Sequence, residues 1–275
     1  MTFKRSIISW YGGKWYLLGD ILPFPKHTLY AELFCGSIVV LINKIKSDIE
    51  VINDNNNRLI NLWNIVKNKW YELKFISEFK GDLDSRSLFE KYKEESEDSL
   101  EDAFRFFYVN HHSFSHMGKT YHGIDTTGER NLHLTYLNQI ERIKEIYDRI
   151  KHIFVENQDF KILLKRMDKK NALLYLDPPY FDGGEEYEKI IGGKKWEYKD
   201  YEILRKKLDE IENCKFVLSI DNKDFFDNPN WFIQEVERWN FASSVKTSKS
   251  IEYIIRNFDN DRVDKMKLYK QKEMF

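Results

Sequence analysis

The sequence predicts an α/β fold built on a mostly parallel sheet, and three observations predict it. Short apolar runs of strand length, such as residues 172–176, alternate with segments of helical periodicity. A glycine turn, Cys35-Gly36-Ser37, joins one such run to an apolar helix. A later run ends on Asp177-Pro178-Pro179-Tyr180, where two prolines force the backbone out of the sheet in extended form.

Taken in order, residues 15–22 read as a short helix stopped by Pro23 and Pro25. Residues 28–34 read as a strand, and residues 38–45 as the helix after the glycine turn. The next strand covers residues 48–53 and ends at Asp54. Leu59, Leu62, Trp63 and Val66 follow at helical spacing and read as core. Periodicity returns over residues 137–150, a helix, and residues 153–155, a strand ending near Asp159-Phe160. Beyond the Asp177 strand come a helix over 200–211 and strands over 216–220 and 251–255.

The chain has 275 residues, room for one large α/β domain with an insertion or for two domains. Lys and Arg number 44 against 45 Asp and Glu, so any basic face for a nucleic acid must be local. Cys35 and Cys214 are far apart in apolar contexts, which argues against a disulfide framework and fits a reducing, cytoplasmic setting. No run is long and apolar enough to span a membrane, and the N-terminus lacks a signal-peptide layout.

The candidate site residues sit at strand ends. Asp177, a Pro178 carbonyl freed from the ladder and the Tyr180 ring together suit a planar, amino-bearing group: two acceptors for the amine and a ring to stack. The bland alternative is an ordinary strand exit. Gly12-Gly13 after Trp10-Tyr11 lets the backbone approach a ligand, and Lys14 offers a point charge to a carboxylate or phosphate. Asp54 lies about twenty residues past the glycine turn, the distance at which dinucleotide folds place a carboxylate on ribose hydroxyls. A helix cap in an asparagine-rich turn is its alternative.

Residues 70–135 change character and read as an insertion. They carry His111, His112 and His116 among aromatics, then glycines at 118, 123 and 128 with Lys119, His122 and Arg130 in the same stretch. Such a stretch suits contact with phosphates and bases. Zinc is the rival for the histidines, but no cysteine stands beside them and no metal is expected. A solvated loop bundle is the bland alternative. Residues 182–196, with paired glycines, read as a lid beside the site.

Trp10-Tyr11-Gly12-Gly13-Lys14, Glu32-Leu33-Phe34-Cys35-Gly36-Ser37, Asn53-Asp54 and Asp177-Pro178-Pro179-Tyr180 stand in the order seen in Dam-type DNA adenine methyltransferases. The chain resembles that family over roughly residues 7–258. The resemblance implies a Rossmann-like methyltransferase fold with helices on both sheet faces. It makes 1–69 and 136–275 the catalytic domain and 70–135 an inserted, largely helical recognition subdomain. It implies methyl transfer from S-adenosylmethionine to the exocyclic amine of adenine in double-stranded DNA, by base flipping and without a metal. Trp10, Lys14, Phe34, Gly36 and Asp54 would then hold the cofactor, Asp159 would lie near its adenine, and Asp177 would touch both cofactor and target amine. Lys119, Arg130 and His112 would meet DNA. A monomer is expected, and the resemblance allows a cognate restriction endonuclease as partner.

Two departures stand out. The family's glycine turn usually has a second glycine where this chain has Ile38. The late motif runs Ser250 to Asn257 without the arginine often found before its glutamate, leaving Lys249 there. An RNA or single-strand adenine methyltransferase, and a silent DNA-binding relative, are the two competing functions.

Overall fold

Strand β4 (Ala172–Leu176) is buried at every position, the mark of a strand covered on both faces. The computed structural model describes residues 3–81, 83–123, 132–180, 196–241 and 247–260. Around β4 lie β1 (Leu29–Glu32), β2 (Ile49–Asn53), β3 (Phe154–Glu156), β5 (Lys215–Ile220), β6 (Phe232–Phe241) and β7 (Thr247–Arg256). They form one sheet in the order β3-β2-β1-β4-β5-β7-β6. Strands β3 to β5 pair in parallel, and β7 enters antiparallel between β5 and β6. The mostly parallel α/β sheet expected from sequence is the sheet observed.

Alternate side chains along the strands feed two cores. Tyr30, Ile52, Leu173, Tyr175 and Val217 face one core, shared with α2 (Val39–Asn43), α3 (Asn57–Lys80), α5 (Ser99–His112) and α6 (Leu132–Ile150). Ala31, Val51, Leu174, Leu176 and Phe216 face the other, shared with α7 (Phe160–Met167) and α8 (Tyr198–Asp209). Helices therefore cover both faces. A short α1 (Leu18–Ile21) precedes β1, and α4 (Arg86–Tyr92) lies between α3 and α5.

Four elements differ from expectation. Helix α2 starts at Val39, because Ile38 adopts a left-handed conformation (φ 54°, ψ 23°) as its N-cap. Helix α7 was not expected, although Phe160, Leu163, Leu164 and Met167 are its buried residues and have helical spacing. Strand β6 was not expected either, since an edge strand carrying Gln234, Glu235 and Glu237 lacks a plain apolar face. Helix α3 crosses the expected start of the insertion with one non-helical residue, Lys69 (φ −139°, ψ 37°).

Candidate active site

From β1 the sheet runs outward through β2 to one edge and through β4 to the other. Open α/β sheets bind ligands at such a switch point, outside the carboxyl ends of the strands. A cavity opens there, lined by the segments around residues 10–14, 34–40 and 175–180 and by Asp54.

The glycine turn forms the first wall. Gly36 has φ +44°, and a Cβ there would stand 2.7 Å from Trp10 Cδ1, so the indole packs directly on the turn. The Gly36 N–H donates to Asp54 Oδ2 at 3.1 Å, and its carbonyl accepts from Trp63 Nε1 at 3.0 Å. Asp54 Oδ1 accepts from the Asn56 N–H at 3.0 Å. The cap of α3 is Asn56, whose side chain accepts from the Leu59 N–H. Asp54 is therefore not that cap: it lines the cavity, buried, with its carboxyl raised above the ordinary range by desolvation.

Ile38 takes the left-handed backbone that a glycine would adopt freely, at a cost of roughly 1–2 kcal/mol. Its side chain is fully buried in the core and does not line the cavity. The departure from glycine thus preserves the path of the turn.

Asp177 forms the second wall, just beyond β4. Its Oδ1 accepts from Lys14 Nζ at 2.7 Å and from Ser219 Oγ at 3.0 Å. Ser219, on β5, is also within 2.9 Å of the Tyr175 hydroxyl. Lys14 is 2% exposed; it also bonds the Gly12 carbonyl and sits 4.4 Å above the Tyr180 ring. The Tyr180 and Tyr16 hydroxyls both donate to Glu252. The Pro179 carbonyl accepts from Tyr201 at 2.6 Å, whereas among the described residues no hydrogen bond reaches the Pro178 carbonyl. Burial raises the Asp177 carboxyl to about 6, and Lys14 opposes that rise. Burial also pushes Glu32, at the end of β1 and lining the cavity, up to about 8.

Every predicted cofactor residue except Asp159 thus lines one cavity, as do Pro178 and Tyr180. Asp159 caps α7, accepting from the Lys161 N–H at 2.9 Å, and its neighbour Phe160 meets the Phe34 ring at 5.4 Å. Ser219 and Tyr16 escape sequence reasoning, because only the fold brings them to Asp177 and Glu252. Glu252 was visible as the glutamate of the late motif. Arg256, four residues on, is spent elsewhere, on the Asp20 carbonyl at 2.6 Å and Gln234 at 3.0 Å. The Lys249 side chain, Arg130 and residues 182–195 of the expected lid lie outside the described part.

His112 is 1% exposed and stacks on Tyr108 at 3.9 Å, so its ring offers no free face to a duplex. The apolar side of α5 draws Asn110 to His112 inward with it. Lys119 follows on the surface loop, its carbonyl accepting from Lys93 Nζ at 3.3 Å.

The Lys14–Asp177 pair has a pH consequence. The carboxylate is the acceptor form, and it is lost as pH falls through about 6. Lys14→Met removes the cation that holds the carboxyl down, so an acid limb governed by Asp177 should move to higher pH. Rate–pH profiles of wild type and Lys14→Met at saturating substrate check this; an unmoved limb would separate Asp177 from the rate.

A family model described as D12 class N6 adenine-specific DNA methyltransferase matches residues 10–268. The DNA adenine methylase of Salmonella typhi is 28% identical over 191 residues, 66% of this chain and 66% of its own length. That of Escherichia coli strain K12 is 27% identical over 190 residues, with the same coverage of each. The chain thus aligns with slightly under two thirds of these relatives. Among solved structures, a conserved hypothetical protein of Streptococcus pyogenes aligns over 87% of this chain and 92% of its own, at 11% identity and a TM-score of 0.33. The family match takes in both walls of the cavity and the residues between them, and the chain belongs to the D12 class N6 adenine-specific DNA methyltransferase family.

Proposed function

We propose that the chain transfers a methyl group from S-adenosylmethionine to the 6-amino group of adenine at a specific site in duplex DNA. The observation that carries this is Asp177: a partly buried carboxylate at the switch point, lining the cavity and next to a carbonyl with no partner among the described residues.

The cavity fits the cofactor. Asp54 is a buried carboxylate lining the cavity, suited to a ribose diol, and Trp10 and Phe34 give apolar surface. Gly36 lets the Trp10 indole pack directly on the turn that forms the cavity wall. When bound, S-adenosylmethionine supplies an electrophilic methyl carried on a sulfonium.

The rest falls to the chain's own residues. The amine of adenine is a poor nucleophile, because its lone pair is delocalised into the ring. Asp177 and the Pro178 carbonyl accept its two hydrogens, favour a tetrahedral nitrogen and stabilise the positive charge that develops there. Ser219 and Lys14 fix the Asp177 carboxylate before the substrate arrives, so little reorganisation remains. Glu252 holds the Tyr180 ring, which stacks on the target base. A base inside a duplex hides its amine, so the nucleotide is flipped into the cavity.

Residues 70–135 grip the DNA, and Asp159 lies towards the cofactor adenine. No DNA contact is assigned to the buried His112. Lys119→Ala should lower DNA affinity evenly across sequences and flatten its salt dependence by about one charge, leaving cofactor affinity intact. Salt titrations on cognate and mismatched duplexes check this; unchanged binding would move the phosphate contact elsewhere.

The experiment that tests the function compares methyl transfer to duplex DNA, single-stranded DNA, RNA and adenosine. Preference for duplex DNA supports the proposal. Preference for RNA or single strands favours the first rival, and DNA binding without transfer favours the silent one.

A further inference from the structure

Away from the cavity, the fold gathers three metal-ligating side chains that are distant in sequence. Asp84 comes from the connection between α3 and α4, His112 from the last turn of α5, and His122 from the loop beyond it. One ligand atom from each lies within 4.8 Å of the other two. His112 Nε2 stands 3.9 Å from Asp84 Oδ1, and His122 Nε2 3.7 Å from Asp84 Oδ2, both beyond hydrogen-bond length.

The tautomers follow from the remaining contacts. His112 Nδ1 faces the Tyr108 carbonyl at 2.8 Å, and His122 Nδ1 faces the Gly123 carbonyl. A carbonyl only accepts, so each Nδ1 carries the proton and each Nε2 presents a lone pair. Both Nε2 atoms are buried and have no hydrogen-bond partner among the described residues. The rings themselves are 1% and 6% exposed. Two imidazole lone pairs thus converge on a carboxylate. The Tyr121 hydroxyl donates to Asp84 Oδ1 at 2.5 Å, but among the described residues no donor reaches either Nε2, an arrangement that suits a cation.

We propose that Asp84, His112 and His122 bind one divalent transition-metal ion, zinc by the chemistry of the donors. Two imidazoles and a carboxylate are a zinc ligand set, and each imidazole already has its outer nitrogen anchored to a backbone carbonyl, as zinc-binding histidines do. Tetrahedral ligands at about 2.0–2.2 Å from zinc stand roughly 3.4 Å apart, so the three atoms close on the ion by small side-chain rotations. His133, at the start of α6, offers a fourth donor: its ring lies 6.4 Å from that of His112, and its buried Nδ1 has no partner among the described residues. Water is the alternative fourth ligand. The ion would tie the α3–α4 connection, the end of α5 and the following loop into one unit. This role is structural, in the insertion, and independent of the methyl-transfer chemistry.

The test uses the full chain without a histidine tag, stripped with chelator and dialysed. Titration with zinc should show one ion per chain, and cobalt should give the visible bands of a four-coordinate site with imidazole ligands. Zinc should raise the melting temperature. Asp84→Asn changes a partly accessible group and His122→Gln a buried ring, and helical circular dichroism will establish that both fold. Each should weaken zinc at least ~100-fold and abolish the shift in melting temperature. Absence of stoichiometric binding by the wild type would overturn the proposal, as would equal binding by both folded variants. So would histidine resonances showing that the site holds only a proton shared with Asp84 when zinc is present.

Discussion

Asp177→Ala is expected to lower the rate of methyl transfer at least ~10²-fold while the fold survives. Asp177 lies beyond the end of β4, and what it holds is polar: Lys14 at 2.7 Å and Ser219 at 3.0 Å. In the proposed mechanism its loss removes one of two acceptors for the amine, and an acceptor fixed before reaction is worth far more in a low-dielectric site than in water. The variant also leaves Lys14 without its carboxylate partner. Some loss of stability is therefore expected, about 3–5 kcal/mol if Lys14 stays buried and finds no new partner. Single-turnover rates at saturating cofactor and DNA separate chemistry from binding, and a thermal melt shows that the protein is folded. Near-normal turnover by a folded Asp177→Ala chain would remove the carboxylate from the mechanism.

Gly36→Ala is expected to weaken S-adenosylmethionine binding at least about tenfold. The backbone at Gly36 has φ +44°, and the added Cβ would meet Trp10 Cδ1 at 2.7 Å. A left-handed conformation costs an L-residue roughly 1–2 kcal/mol. The free turn relieves that strain by shifting, binding must restore it, and 1.4 kcal/mol is a factor of ten. The clash adds to this by displacing the indole, and the turn that moves with it carries the N–H that holds Asp54. The effect should appear in calorimetry as lost cofactor affinity. Unchanged affinity would mean that the Trp10–Gly36 wall does not meet the cofactor. Ile38 shows why the two positions differ: it also has a positive φ, yet its side chain goes into the core.

Much of this was legible in the sequence. Residues 172–176 gave their strand to the residue, because a central strand is apolar throughout and bounded by Asp177 and two prolines. The glycine turn and Asp54 were legible through spacing, since β1, its turn and β2 are consecutive in the chain. What escaped has a common cause. Lys14 meets Asp177, Ser219 meets Asp177, and Asp84 meets His112 and His122 only because distant segments fold together. No local pattern announces such pairs. His112 misled in another way: a histidine-rich stretch reads as polar surface, but the helix that carries it turns this residue into the core.

The central claim is that the cavity methylates the amine of adenine in DNA. Its most direct measurement is nucleoside mass analysis of duplex DNA incubated with the purified chain and methyl-labelled S-adenosylmethionine. N6-methyldeoxyadenosine should carry the label at one sequence context, and Asp177→Ala should leave it at background. Label on another base, or none in DNA from a folded, cofactor-binding chain, would contradict it.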